Sequence, residues 1–239
     1  MMTRAHSTQA AMIRLELERD IFSGQLKPGT NVEEGRLADR FGVSRTPVRE
    51  AIANLVQAGL LTKSAHRRAV VSELDAGALL ELFEALSEME GAAGQLAAMR
   101  MTHEDRAQLQ QIHNEAAELL RTHGDPNRYA DLGQQFHSAV VRACRNSVLI
   151  QSIERLSMRV LPYRRYQVVA PGRLEKNQSD HDRIVAALIK GDGETARIEL
   201  RRHTAEQGDA LMRFIALHKL SYADLVNDNA VSQSIKESA

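Results

Sequence analysis

Apolar positions come in short, interrupted groups up to residue 74 and in long helical runs after it. In residues 9–22, QAAMIRLELERDIF, the spacing of Ala11, Ile13, Leu15, Leu17 and Ile21 predicts a helix. Ser23-Gly24 ends it, and the polar residues 1–8 ahead of it are expected to fray. Lys27-Pro28-Gly29 is a turn. A short helix follows over residues 33–41, with Leu37 and Phe41 inward, four apart. Gly42-Val43 breaks it. Ser44 then stands as an N-cap, and Pro47 falls in the first turn of the next helix, where its missing N–H costs nothing. That helix runs to about Ala58 and stops at Gly59, with Val48, Ile52, Leu55 and Val56 toward a core. Leu60-Leu61-Thr62 and Ala69-Val70-Val71 read as strands, with residues 63–68 as the tip between them. Helix, helix, turn, helix, hairpin is the order of a winged helix-turn-helix.

From Leu74 the runs lengthen. Leu79, Leu82, Phe83, Leu86, Met89, Glu90 and Ala93 belong to one long helix. Thr102-His-Glu-Asp105 resembles a capping box with Asp in the fourth place, opening a helix to about Arg121. Further helices fit residues 127–145, 147–167, 174–190 and 193–218, the last two separated by Gly191-Asp192-Gly193. The predicted fold is mostly α: a winged helix-turn-helix over 1–74, then an all-α antiparallel helical bundle over 75–220. Residues 221–239 are polar and read as a disordered tail.

Composition agrees with a helical protein: 43% hydrophobic residues, 4% aromatics and no Trp in 239 residues. Cys144 is the single cysteine, so no internal disulfide can form and a reducing compartment fits. No apolar run approaches the ~20 residues of a membrane span, and the N-terminus lacks a signal-peptide core. A cytoplasmic protein without a membrane partner is therefore expected. Net charge is zero, yet the first 74 residues hold 11 of the 31 Lys+Arg and 8 of the 31 Asp+Glu, a balance of +3 offset by −3 in the remainder.

The basic head has a specific pattern. On the helix after Ser44, Arg45 and Arg49 are four apart and share a face in its first two turns. That end of a helix-turn-helix enters the major groove, where arginine grips a phosphate or a guanine edge. Thr46 suits a phosphate or a thymine methyl, and His66-Arg67-Arg68 at the hairpin tip suit backbone or minor groove. The alternative is a solvated face in which the arginines pair with Glu50 or Glu34.

The stretch GQLKPGTNVEEGRLADRFGVSRTPVREAIANLVQAGLL closely resembles the N-terminal domain of GntR-family bacterial transcription regulators. QQFHSAV, RNSVL and SDHDRIVAALIKGDGETARIELRRH look like the FCD ligand-sensing domain of the FadR subfamily. The resemblance implies a homodimer on an inverted-repeat operator in double-stranded DNA, with an effector in the helical domain altering DNA affinity. It assigns DNA contacts to Arg45, Thr46 and Arg49, with His66 and Arg67 assisting; Ser44, Arg36 and Arg68 are further candidates on the same face. Two positions depart from the family: Gly35 stands where an arginine is common, leaving Arg36 beside it, and Arg68 replaces a glycine of the wing.

Three of nine histidines then stand out. Helices joined by Gly191-Asp192-Gly193 can bring His181 and His203 together, although spacing alone is weak evidence of a site. Many FCD domains hold a divalent metal with three histidines and an aspartate four residues before the first. His137, His181 and His203 occupy the histidine places, while Gly133 occupies that of the aspartate. Asp131 lies on the wrong side of the helix, and Gln134 shares the face but is a poor ligand. Zinc or nickel suits such imidazoles, leaving open positions for water or an effector carboxylate. The competing arrangement is a metal-free cavity whose histidines hydrogen-bond an organic acid directly. Arg159 is the candidate cation for that acid. A metal-dependent enzyme is the rival from another class; the chain has no HExxH motif, and such an enzyme would leave the winged helix unexplained.

Overall fold

The computed structural model describes residues 2–22, 25–63, 68–164 and 172–218. The helix end at Ser23-Gly24, the wing residues His66 and Arg67, and the tail 221–239 lie outside them. The chain divides into two compact units, the second being Ala76–Leu217.

In the first unit, α1 (Met2–Phe22) and α2 (Glu34–Phe41) precede α3 (Arg45–Gln57). Strand β1 (Asn31–Val32) lies before α2, and β2 (Leu61–Lys63) and β3 (Ala69–Val71) follow α3. α1 begins at Met2, ahead of the residue-9 start the spacing predicts, since residues 2–8 contain neither Gly nor Pro to stop it. It buries Ile13, Leu17 and Ile21, four apart, and packs against α3, which buries Val48, Ala51, Ile52 and Leu55. Leu15, expected in the same stripe, is 53% exposed. Phe41 is only half-buried, with the Arg40 guanidinium 5.0 Å from its ring centre. Gly42 supplies the left-handed residue (φ 63°) that closes α2 and turns the chain into α3. The sheet has three antiparallel strands in the order β1-β3-β2, with Thr62 opposite Val70 and Asn31 opposite Val70 from the other side. β1 is an addition to the two predicted strands.

The second unit is all helical among its described residues. It contains α4 (Ala76–Arg100), α5 (His103–Arg121), α6 (Pro126–Ala143), α7 (Ser147–Arg164), α8 (Arg173–Lys190) and α9 (Gly193–His218). The capping box at α5 forms in full: Asp105 N–H donates to Thr102 Oγ1 at 3.1 Å, and Thr102 N–H to Asp105 Oδ2 at 2.8 Å. Gly191 (φ 76°) ends α8, and Asp192 accepts from Thr195 N–H at 3.0 Å at the start of α9. α4 packs against α6, α7 and α8, and α5 against α6 and α8. Small residues let α9 approach α4 closely. A Cβ on Gly91 would lie 3.0 Å from Arg197 O, and one on Gly208 would lie 2.8 Å from Phe83 Cβ. This close crossing places the middle of α9 beside Glu90 of α4, and the candidate sensing site is built there.

Candidate functional site

The DNA-facing candidates gather at the start of α3. Its register sends Val48, Ala51 and Ile52 inward, which leaves Arg45, Thr46 and Arg49 exposed. Ser44 occupies the N-cap with extended backbone, but its hydroxyl makes no capping hydrogen bond, contrary to the expected cap. Arg45 lies beside the start of α2, its Nη2 3.9 Å from where a Cβ on Gly35 would stand. Arg49 donates from Nε to Glu34 Oε2 at 2.7 Å, so the expected carboxylate pairing exists and its partner is Glu34. Arg36 pairs likewise with Glu33 at 3.1 Å, both side chains exposed. A groove of about 680 Å³ runs between these residues and the wing, lined by Glu33, Glu34, Arg49, Lys63 and Arg68.

The three selected histidines meet inside the second unit. His137 comes from α6, His181 from α8 and His203 from α9; all are buried, and one ring nitrogen of each lies within 4.8 Å of the others. The Nε2 atoms of His181 and His203 are 3.2 Å apart. Tetrahedral zinc with ~2.0–2.1 Å bonds to nitrogen would need about 3.3 Å between ligands, a spacing the His181–His203 pair already has. Phe136 stacks on His181 at 4.0 Å between ring centres and fixes that ring.

Two buried carboxylates orient the rings from behind. Glu90 Oε2 lies 3.0 Å from His137 Nδ1 and also accepts from Thr204 Oγ1 at 2.7 Å. Asp180 Oδ2 lies 3.3 Å from His203 Nδ1. A carboxylate can only accept, so each ring donates to its acid from Nδ1, and at His203, which burial keeps neutral, the Nε2 lone pair is left free of a proton. At His203 that lone pair accepts from Gln207 Nε2 at 2.8 Å. Burial pushes the His203 pKa down to about 4, against the pull of Asp180. Burial and the neighbouring His203 and His137 hold His181 well below the usual imidazole range. Burial alone would raise Asp180, but His203 and Lys176, whose Nζ is 2.6 Å away, keep it ionised far below the usual range. Arg183 also pairs with Asp180. His181 and His203 are thereby neutral imidazoles, the form that ligates metal, with the paired second layer usual around such ligands.

The neighbouring candidates divide. Gly133 is one turn before His137, and a Cβ there would meet nothing within 4 Å. Gln134, expected on the ligating face, is exposed, and so is Asp131. Arg159 is half-buried on α7, and its Nε is closed off from solvent with no hydrogen-bond partner among the described residues. Sequence reading missed Glu90, Asp180, Thr204 and Gln207 as parts of the site. One signal existed for Glu90: it continues the buried row Leu82, Leu86 at intervals of four.

Comparison with known proteins places both units. Residues 9–71 match the bacterial regulatory proteins of the gntR family, and residues 81–206 match the FCD domain. The chain is 32% identical over 203 residues to the "Probable D-xylose utilization operon transcriptional repressor" of Paenarthrobacter nicotinovorans, covering 83% of this chain and 87% of that one. It is 28% identical over 194 residues to the HTH-type transcriptional regulator McbR of Escherichia coli K12, covering 80% and 87%. The solved structure of E. coli McbR/YncC superposes with a TM-score of 0.73 at 26% identity, over 86% of this chain and 97% of that one. These relatives are transcription regulators and not enzymes. The chain belongs to the GntR family of bacterial transcription regulators, with a helix-turn-helix DNA-binding domain followed by an FCD ligand-sensing domain.

Proposed function

We propose that this regulator is a cytoplasmic homodimeric repressor that grips an inverted-repeat operator through Arg45, Thr46 and Arg49 and releases it when an organic acid binds in the helical domain. Ser44, Arg36 and the wing residues His66, Arg67 and Arg68 complete the DNA-facing set. The observation that carries the sensing half is the meeting of His137, His181 and His203 within 4.8 Å, with His203 held from behind by Asp180 so that its Nε2 lone pair is free of a proton. Such a lone pair repels a carboxylate and attracts a cation, and burial keeps His203 unprotonated at neutral pH. This favours a divalent metal, zinc or nickel, on His137, His181 and His203 over direct hydrogen bonding of the acid by the histidines. When bound, the metal supplies a Lewis-acid position for a carboxylate oxygen. Gly133 leaves space where an internal carboxylate could otherwise compete for that position. Arg159, whose buried Nε has no partner among the described residues, supplies the guanidinium for the rest of the acid. DNA affinity falls because the effector favours the conformations of the dimer that bind DNA less well.

The test is fluorescence anisotropy on the DNA upstream of the protein's own gene, at two salt concentrations, with Arg49→Ala as control. Specific binding should be lost in Arg49→Ala and released by a small acid in the zinc-loaded wild type. Absence of specific binding there and on operators selected from random DNA would refute the DNA-binding assignments. Substoichiometric zinc after dialysis, unchanged by His203→Ala, would refute the metal.

A further inference from the structure

The surface proposed to face DNA carries an anion that demands a reason. Glu34 is the first residue of α2, where the helix N-terminus favours a carboxylate. It reaches across the two helices of the motif to Arg49, in the second turn of α3, at 2.7 Å. Both side chains are exposed, 62% for Arg49 and 39% for Glu34, so the pair contributes little to stability. An uncompensated carboxylate beside phosphates would weaken DNA binding. Among the described residues, however, its hydrogen bond is to Arg49 Nε, which leaves the two terminal Nη groups for other partners. The pair lines the same groove as Lys63 and Arg68 of the wing, which supply further cations.

We propose that Glu34 is a specificity-determining positioning residue, holding Arg49 by its Nε so that the guanidinium presents its Nη hydrogens to a guanine edge. The inference rests on Arg49 being a base-reading residue. A long arginine without such a restraint finds any nearby phosphate, which gives affinity without sequence information. Held from behind, it offers one fork in one orientation, the geometry that reads the O6 and N7 of guanine. A bidentate contact of this kind discriminates bases by on the order of 10–100-fold. Losing its orientation should therefore lower the ratio of specific to non-specific affinity by about tenfold, while non-specific affinity holds or rises because a negative charge has left the surface.

The experiment measures anisotropy with the full-length protein on two duplexes: an operator selected by the wild type from random DNA, and its scrambled counterpart. The proteins are wild type, Glu34→Ala, Glu34→Gln, Arg49→Ala and the Glu34→Ala/Arg49→Ala double variant, each checked for an unchanged melting curve. Support is an about tenfold lower operator-to-scrambled ratio in Glu34→Ala and a smaller loss in Glu34→Gln, which keeps an acceptor oxygen. Adding Glu34→Ala to Arg49→Ala should then cost nothing further. If Glu34→Ala tightens both duplexes equally, Glu34 is a competitor of phosphate and the proposal falls. The proposal falls also if Glu34→Ala costs as much without Arg49 as with it. If Arg49→Ala itself leaves the ratio unchanged, the base-reading role of Arg49 is what has failed, and the inference goes with it.

Discussion

Replacing Glu90 with Gln separates the metal site from mere core packing, because the two predict opposite signs. Glu90 is 2% exposed and accepts from His137 Nδ1 at 3.0 Å and Thr204 Oγ1 at 2.7 Å. In the metal-free protein, Gln keeps the volume and an acceptor oxygen while removing a buried charge, so stability should hold or rise. In the metal-bound protein, the carboxylate makes His137 a more basic ligand, and losing such a partner weakens binding about 10–100-fold. At zinc 100 times above the wild-type Kd, binding stabilises the fold by about 2.7 kcal/mol. The same zinc concentration stabilises the variant by only about 1.4 kcal/mol after a tenfold loss and about 0.4 kcal/mol after a hundredfold loss. At roughly 2–4 °C per kcal/mol for a protein of this size, the zinc-induced rise in Tm should fall from about 5–11 °C to about 1–6 °C. Thermal melts with and without zinc, and a competition titration against a chelating indicator, measure both quantities. An unchanged zinc-induced rise in Glu90→Gln, with its metal-free Tm lowered, would refute the second-layer role and leave Glu90 as a structural acid.

Gly133→Asp adds a carboxylate one turn before His137 in open space, so it should tighten zinc at least tenfold by indicator competition; it should also make DNA release less sensitive to the acid. Gly208→Ala drives a Cβ to within 2.8 Å of Phe83, which is 1% exposed and cannot retreat. Overpacking of about 1–3 kcal/mol outweighs the ~1 kcal/mol gain in helix propensity, so Tm should fall by several degrees in a thermal melt. Asp105→Ala removes the capping box and should cost about 0.5–2 kcal/mol in urea unfolding at neutral pH. The Thr102 backbone bond, then Arg145, holds the Asp105 pKa below its ordinary value. A depressed carboxylate contributes above its unfolded pKa and loses that contribution as pH falls through the folded one, so the difference should shrink below about pH 3.9.

Much of the head was legible because its signals are local. Gly42, the Ser44 position and Pro47 mark the turn and the start of α3, and the buried register of Val48, Ile52 and Leu55 leaves Arg45 and Arg49 outside. β1 was not legible: it is two residues long, begins with a poor strand former, Asn31, and exists only through its pairing with β3. Phe41 was misplaced because a four-residue spacing cannot tell a buried ring from one covered by Arg40. In the bundle, His181 and His203 could be paired from the Gly191 turn that folds α9 back on α8. His137 lies on a third helix and joined them only through the family resemblance.

What escaped the sequence has a common physical form. In three places a nitrogen with a proposed function is held from behind by a carboxylate of another helix or turn: Glu34 behind Arg49, Glu90 behind His137, Asp180 behind His203. The nitrogen bases carry recognisable spacing, since groove and metal geometry restrict where they stand on their own helices. The acids carry none. Glu34 opens a helix, Glu90 continues an apolar row, and Asp180 sits in a charged run beside Lys176 and Arg183, so each looks like ordinary helix chemistry. Only the fold brings them to the nitrogens, where they fix a tautomer or a rotamer. Glu34 and Glu90 are therefore expected to affect DNA discrimination and metal affinity more than melting temperature, the reverse of what burial alone predicts for Glu90.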